Sequence, residues 1–276
     1  MKKRIPTYED CKAIVKSKGD LVFYETIHSI NGCQISLFNY RLPSYTDFLN
    51  DEIDYREMRG LCFVFNQDGS LNERYLMLHK FFNLNQVEES MYFKVKDKKI
   101  KSIYDKLDGS LVSFIKVKDK IVPKTKMGFD NDQINEVNVL YNSNKNIEKF
   151  LIDCFKKDLV TTWEYVSFKN KIVLNYKNSN LVLLRVRNNK TGEYVDVEQF
   201  RGLGFDVAES KVFSNLDSII EWTKTTKDVE GCVVTFEDDS MIKVKTQWYC
   251  DLHHLVDSIN REDYIIEMIL KKLLTI

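Results

Sequence analysis

Apolar and polar positions alternate in short runs along most of the chain, and helical spacing is confined to a few stretches. Thr7-Tyr8-Glu9-Asp10 has the pattern of a capping box, so a helix opens there and Gly19 closes it. Residues 21–24 and 35–38 read as strands, and 45–53 is polar-aromatic and irregular. Leu61-Cys62-Phe63-Val64-Phe65 is a strong strand turned at Asp68-Gly69, and Lys80-Phe81-Phe82-Asn83-Leu84 ends the next apolar segment. Residues 102–104 and 111–117 predict two strands with a turn or kink at Asp108-Gly109 between them. A turn at 118–120 leads to a partner strand over 121–126, which Gly128 breaks. Ile134, Val137, Leu140 and Tyr141, then Ile147, Phe150, Leu151 and Cys154, have helical spacing interrupted near Asn142-Ser143-Asn144. Strands are expected at 160–166, 171–176 and 181–186, and short helices at 196–201 and 216–224. A hairpin turns at Glu237-Asp238-Asp239-Ser240 between 231–236 and 241–245, and 248–276 is mostly helical. Many short strands and a few helices in mixed order give an α+β fold, with antiparallel sheets packed by helices around a core.

Composition sharpens this picture in three ways. The 276 residues are 43% hydrophobic and carry no formal net charge, so a folded core is expected and a non-specific nucleic-acid tail is not. The charge is uneven: residues 91–127 hold eleven Lys against four Asp, a local excess of +7 that suits a phosphate-bearing ligand or a solvated basic face. The six cysteines form no Cys-x-x-Cys pair and no zinc spacing, which fits a reducing compartment. Met1-Lys2-Lys3-Arg4 is not followed by the apolar run of a signal peptide, and no stretch is long and apolar enough for a transmembrane helix. Gly-rich phosphate loops are absent, and the adjacent His253-His254 pair suits no metal.

Lys106-Leu107-Asp108-Gly109 concentrates the chemistry. A lysine at the lip of a buried sheet is partly desolvated, which favours the neutral, nucleophilic amine, and Gly109 admits close approach of a phosphate. Asn66-Gln67-Asp68-Gly69-Ser70 repeats the turn chemistry without the lysine and reads as a plain hairpin turn. Lys243 and Lys245 share one face of a strand, opposite Ile242 and Val244, so that face meets either solvent or a polyanion. Glu230-Gly231 begins the paired strand and brings Glu230 near those lysines. Glu164 lies within the apolar run Thr161-Thr162-Trp163-Glu164-Tyr165-Val166, where a carboxylate needs a charged partner or a metal. Arg59 and Lys80 each border an apolar strand.

In this order, Lys106-Leu-Asp-Gly, Glu164, Glu230-Gly231 and Lys243-Val-Lys245 resemble the covalent nucleotidyltransferases, the superfamily of ATP-dependent ligases and mRNA-capping enzymes. The finer likeness is to the RNA ligase 1 family of phage tRNA-repair enzymes. It is carried also by residues 38–47, Arg59-Gly60, Lys80-Phe-Phe-Asn-Leu-Asn85, Glu164-Tyr-Val-Ser167, Ile172-Val-Leu174, Thr191-Gly-Glu-Tyr194 and Lys243-Val-Lys-Thr-Gln-Trp-Tyr249. The resemblance implies a nucleotidyltransferase domain over 1–250 with a short helical C-terminal extension over 251–276. It implies an ATP-dependent RNA ligase in which Lys106 attacks the α-phosphorus of ATP and holds AMP. Lys243 and Lys245 would hold the α-phosphate, and Tyr40, Arg59, Lys80, Gly109, Lys126 and Glu164 would contact the nucleotide. Glu230, with Glu164, would bind Mg2+ or Mn2+, and the role of Tyr249 is left open. The implied partners are RNA ends, single-stranded or from a broken tRNA, and a polynucleotide kinase-phosphatase. The expected state is a monomer in the cytoplasm, the host's if the source is viral. Only 27 residues follow Tyr249, fewer than the helical domain that the phage enzymes link to tRNA, so the expectation is RNA joining, with a dedicated tRNA-repair role left open. A capping guanylyltransferase is the alternative enzyme, and an RNA-binding module the non-enzymatic one.

Overall fold

A computed structural model of the protein describes residues 3–168, 173–174, 176–259 and 266. Helix α1 (Tyr8–Lys18) is followed by strands β1 (Phe23–Ile30), β2 (Cys33–Tyr40), β3 (Leu61–Phe65), β4 (Leu71–Tyr75) and β5 (Phe82–Asn83). Next come α2 (Tyr92–Val95), β6 (Ile100–Lys106), β7 (Ser110–Val117), β8 (Lys120–Thr125), α3 (Asp132–Ser143) and α4 (Lys145–Lys156). Then β9 (Leu159–Val166), β10 (Asn180–Asn188), β11 (Tyr194–Val195), β12 (Asp206–Val207), α5 (Leu216–Thr225), β13 (Gly231–Phe236), β14 (Met241–Lys245) and α6 (Gln247–Ile259) follow. The α+β class expected from the sequence is observed.

The elements form two compact units that alternate along the chain. Unit 1 comprises Met1–Phe81, Ser110–Val166 and Asn178–Ala208; unit 2 comprises Phe82–Gly109, Ser167–Lys177 and Glu209–Ile276. Unit 1 holds two sheets, one of order β1-β2-β3-β4 and one of order β11-β10-β9-β7-β8 with β12 added parallel to β10. Tyr8 of α1 packs edge-on against Phe38, Phe63 and Phe65 of the first sheet. Trp163 of β9 anchors the second sheet, meeting Phe150 of α4, Phe114 and Phe205 with centroids 5.2–6.2 Å apart. Such aromatic pairs add to their simple area burial. Unit 2 holds one sheet of order β5-β14-β13-β6. Cys232, Val234, Phe236, Ile242 and Val244 face Leu216 and Ile219 of α5 in its core. Strand alternation therefore turns Lys243 and Lys245 to the opposite face, as their spacing predicted.

Several local expectations hold and several shift. Thr7 and Asp10 form the capping box of α1, and Asn144 both ends α3 and caps α4, which explains the broken helical pattern. The Asp68-Gly69 turn joins β3 to β4 with Gly69 at φ +83°. The first strand starts at Phe23 and runs on to Ile30, beyond the predicted 21–24. Its second half alternates between partial and full exposure on pairing with β2, so no apolar run marked it. The helix expected over 196–201 is a single 3-10 turn, Val197–Phe200, capped by Asp196. Of the strand expected at 171–176, Lys171, Ile172 and Asn175 lie outside the described residues, and Val173 and Leu174 form a bend. The helical expectation for 248–276 holds through Ile259; 260–265 and 267–276 lie outside the described residues. All six cysteines are free thiols. Among the described residues, no helix is long and apolar enough to cross a membrane.

Candidate active site

In unit 2 three strands bring Lys106, Gly231 and Lys245 into one rung at one end of the sheet. Gly231 pairs with Lys106 of β6 on one side and with Lys245 of β14 on the other. Glu230 precedes that rung and is only 3% exposed. Its carboxylate is shared: Oε2 lies 2.7 Å from Lys106 Nζ and Oε1 3.0 Å from Lys245 Nζ. The glycine makes this possible. Gly231 has φ +149°, and a β-carbon there would stand 2.1 Å from the Val244 carbonyl oxygen and 2.7 Å from Lys245 Cα, both backbone atoms. Thr246 fixes the carboxylate's own backbone, its N–H donating to the Glu230 carbonyl at 2.9 Å and its hydroxyl to the Val229 carbonyl at 2.8 Å. The sequence suggested a partly desolvated amine at Lys106; in the structure this half-buried amine is ion-paired.

Asp108 is the anchor of the motif, a role that the sequence did not disclose. It is buried, and its carboxylate accepts from the Val173 and Leu174 N–H groups at 2.8 and 2.7 Å and from the Tyr249 hydroxyl at 2.8 Å. Its own N–H donates to the Tyr176 hydroxyl at 3.0 Å. Tyr249 thereby gains a definite place. Its hydroxyl holds Asp108, while Lys245 Nζ lies 4.8 Å over its ring. Burial, with the Glu230 and Asp108 carboxylates, pushes the Tyr249 phenol far above its ordinary pKa, so it stays a donor. Lys106 and Lys245 are thus tied, two residues from Asp108 and across the Tyr249 ring, into one small network.

Unit 1 gathers a second set. Tyr40, at the end of β2, is buried against Phe23 and Phe48, with Lys126 Nζ 4.9 Å and Lys80 Nζ 5.9 Å over its ring. Burial, then the neighbouring Arg59 and Lys126, pulls Lys80 down to about 8; burial and Arg59 likewise lower Lys126. Arg59 Nη1 reaches the His79 carbonyl at 3.4 Å, and its buried Nε has no acceptor among the described residues. Mutually repelling cations on an aromatic face are suited to a polyanion.

Beneath His79 lies a buried network that sequence reasoning missed. Arg187 makes a two-pronged ion pair with Glu57 at 2.8 and 2.9 Å and donates to the Met77 and Gly192 carbonyls. Its guanidinium lies 4.8 Å from the Tyr194 ring centroid, and the Tyr194 hydroxyl meets His79 Nδ1 at 2.7 Å. Burial and the nearby Arg187 and Arg56 push His79 down to about 3, so its imidazole is neutral. The Thr191-Gly-Glu-Tyr194 string carries part of this: at Gly192 a β-carbon would lie 2.7 Å from Arg187 Nη2.

The structure thus brings Lys106, Glu230, Lys245 and Tyr249 together in unit 2, with Lys243 two residues along the same face. It brings Tyr40, Arg59, Lys80 and Lys126 together in unit 1. Gly109 closes its segment of unit 2. Glu164 stands 8% exposed on β9 of unit 1, paired with Leu111 and Val182, on the side of the strand away from Trp163. Among the described residues no group of three or more His, Cys, Asp or Glu gathers as a ready metal cage. A single buried carboxylate with phosphate oxygens and waters is still a set that magnesium accepts, and Glu230 fits it.

Comparison with known proteins identifies the family. A family model described as RNA ligase matches residues 57–249. A protein of Thermovibrio ammonificans named "Putative RNA ligase" is 28% identical over 207 residues, which are 72% of this chain and 53% of that protein. The chain therefore spans about half the length of that curated relative. Among solved structures, an archaeal ATP-dependent RNA ligase shares the fold with a TM-score of 0.60 at 13% identity, covering 93% of this chain and 68% of that one. A second form of an archaeal ATP-dependent RNA ligase gives 0.57 at 12% identity, over 90% and 63%. The matched span of the family model runs from Glu57 to Tyr249 and takes in Arg59, Lys106, Asp108, Glu230 and both β14 lysines, so the chain belongs to the RNA ligase family.

Proposed function

We propose that the protein is an ATP-dependent RNA ligase acting through a lysyl-AMP intermediate. The observation that carries this is the sharing of buried Glu230 between Lys106 and Lys245 on one rung of the unit 2 sheet, in a chain of the RNA ligase family. Lys106 Nζ, once its proton has left, attacks the α-phosphorus of ATP; a P–N bond forms, the bond to the bridging oxygen breaks, and pyrophosphate departs. The 5′-phosphate of one RNA end then takes AMP from the lysine. The 3′-hydroxyl of the other end attacks that phosphate, loses its proton and displaces AMP.

Lys245 and Lys243 hold the α-phosphate and offset charge that builds on it in the transition state. Lys245 is fixed for this by the Tyr249 ring and Glu230. Tyr40, Arg59, Lys80 and Lys126 contact the nucleotide; the unfilled Arg59 Nε–H and the crowding of three cations support that reading, because phosphate oxygens satisfy both. Glu164 serves the nucleotide or the metal. Mg2+ or Mn2+, held through Glu230, supplies charge neutralisation of the phosphates. The adenylyltransferase part is assigned to residues 1–250, and the substrates are RNA ends.

The test is incubation with labelled ATP and magnesium. Wild type is expected to form a covalent AMP adduct, Lys106→Ala none, and a 5′-phosphorylated RNA strand to be joined to a 3′-hydroxyl end. An adduct that persists in Lys106→Ala, or labelling by GTP in place of ATP, refutes the proposal.

A further inference from the structure

We propose that Lys124 is a positioning residue for nucleotide binding: its buried amine holds the Arg59–Gly60 turn so that Arg59 is presented to the phosphates. The inference rests on the ligase reading above. Lys124, on β8, has no exposed surface. Its Nζ donates to the Gly60 carbonyl at 2.7 Å and lies 3.6 Å from Met77 Sδ, and no carboxylate meets it among the described residues. An ammonium buried without an anion is expensive, and burial lowers this one to about 8. A methionine would fill the same volume without that cost, and this gain offsets the loss of the bond to the Gly60 carbonyl, so net stability does not account for the lysine.

Geometry says what does. Gly60 has φ +71° and is packed so closely that a β-carbon would lie 2.9 Å from Lys126 Cα and 3.2 Å from Lys124 Nζ. The turn is therefore wedged between the backbone at Lys126, just past β8, and the Lys124 amine. The Arg59 side chain has little else to hold it: one long contact to the His79 carbonyl and an Nε–H with no acceptor among the described residues. Lys124 and Lys126 are two residues apart, so the same stretch of chain supplies one amine to secure the turn behind Arg59 and another to the Tyr40 ring beside it.

The experiment compares wild type and Lys124→Met in the ATP dependence of adduct formation and in thermal unfolding. For the variant, the half-saturating ATP concentration is expected to rise about tenfold, the worth of a hydrogen bond from a charged donor, while the rate at saturating ATP stays within about threefold. Its melting temperature is expected to equal or exceed that of wild type. An unchanged ATP dependence overturns the inference. So does a variant that melts lower or fails to fold, because the lysine is then a structural prop. Absence of adduct from wild type overturns the ligase reading and this inference with it.

Discussion

Gly231→Ala tests whether the rung that joins Lys106 to Lys245 sets the geometry of the nucleophile proposed above. The new β-carbon would begin 2.1 Å from the Val244 carbonyl oxygen and 2.7 Å from Lys245 Cα. Carbon–oxygen contacts settle no closer than about 3.3 Å, so β13 and β14 must part by roughly 1 Å at this rung. Neither obstacle is a side chain that can swing aside, and φ +149° is itself strained for alanine. Glu230 is bonded to the displaced residue, so its contacts of 2.7 and 3.0 Å to the two lysines open by a similar amount. A displacement of about 1 Å at reacting groups costs on the order of a hundredfold in rate. The accompanying loss of stability is about 1–3 kcal/mol, as for other overpacked sites. The assay is single-turnover adduct formation with labelled ATP, beside urea unfolding to show that the variant remains folded. A folded Gly231→Ala protein that forms adduct within about threefold of the wild-type rate would refute the claim that this rung sets the geometry of the chemistry.

Three further outcomes are expected. Tyr249→Phe removes the hydroxyl that holds Asp108 and leaves that buried carboxylate one donor short, which costs about 1–3 kcal/mol in urea unfolding; unchanged stability would mean that the bond is dispensable. Glu57→Gln breaks the buried pair with Arg187 and should cost about 3–5 kcal/mol, with a loss below about 1 kcal/mol counting against a structural role for that network. The third outcome concerns pH. Folded Lys124 titrates at about 8 and an unfolded lysine near 10.5, so between those values the unfolded chain binds more protons and stability rises with pH. Wild type should therefore gain on Lys124→Met by up to about 3 kcal/mol as the pH climbs through that window; taking the difference between the two proteins cancels groups that do not interact with Lys124, and a flat difference would refute the burial argument.

Much of the site was legible because its signals are local. The alternation in Ile242-Lys243-Val244-Lys245 gave the face of both lysines, and Glu230, next to a predicted hairpin, could be placed near them. Asp68-Gly69 was correctly read as an ordinary turn. What stayed hidden depends on contacts between residues far apart in sequence. Asp108 resembles any turn aspartate until Tyr249, 141 positions later, is seen to hold it. Lys124 and Lys126 have the same spelling and spacing, yet one is wholly buried under Gly60 and the other lies over Tyr40; no periodicity separates them. Glu57 and Arg187 lie 130 residues apart and each looks like a surface charge when read alone. The order of strands in the sheets was hidden for the same reason, β6 and β7 being successive in the chain but members of different sheets.

The alternation of the two units along the polypeptide bears on how the protein matures at the ribosome. Strand β6, which carries Lys106, has to wait for β13 and β14, more than a hundred residues downstream, before it has a neighbour. Long-range pairing of this kind forms slowly. During synthesis Lys106 therefore emerges early and stays without Glu230 and Lys245 until more than a hundred further residues have been made. A polypeptide stopped before Gly231 would contain the Lys-Leu-Asp-Gly string yet lack β13 and β14, the strands that hold Lys106 in its sheet and supply Lys245.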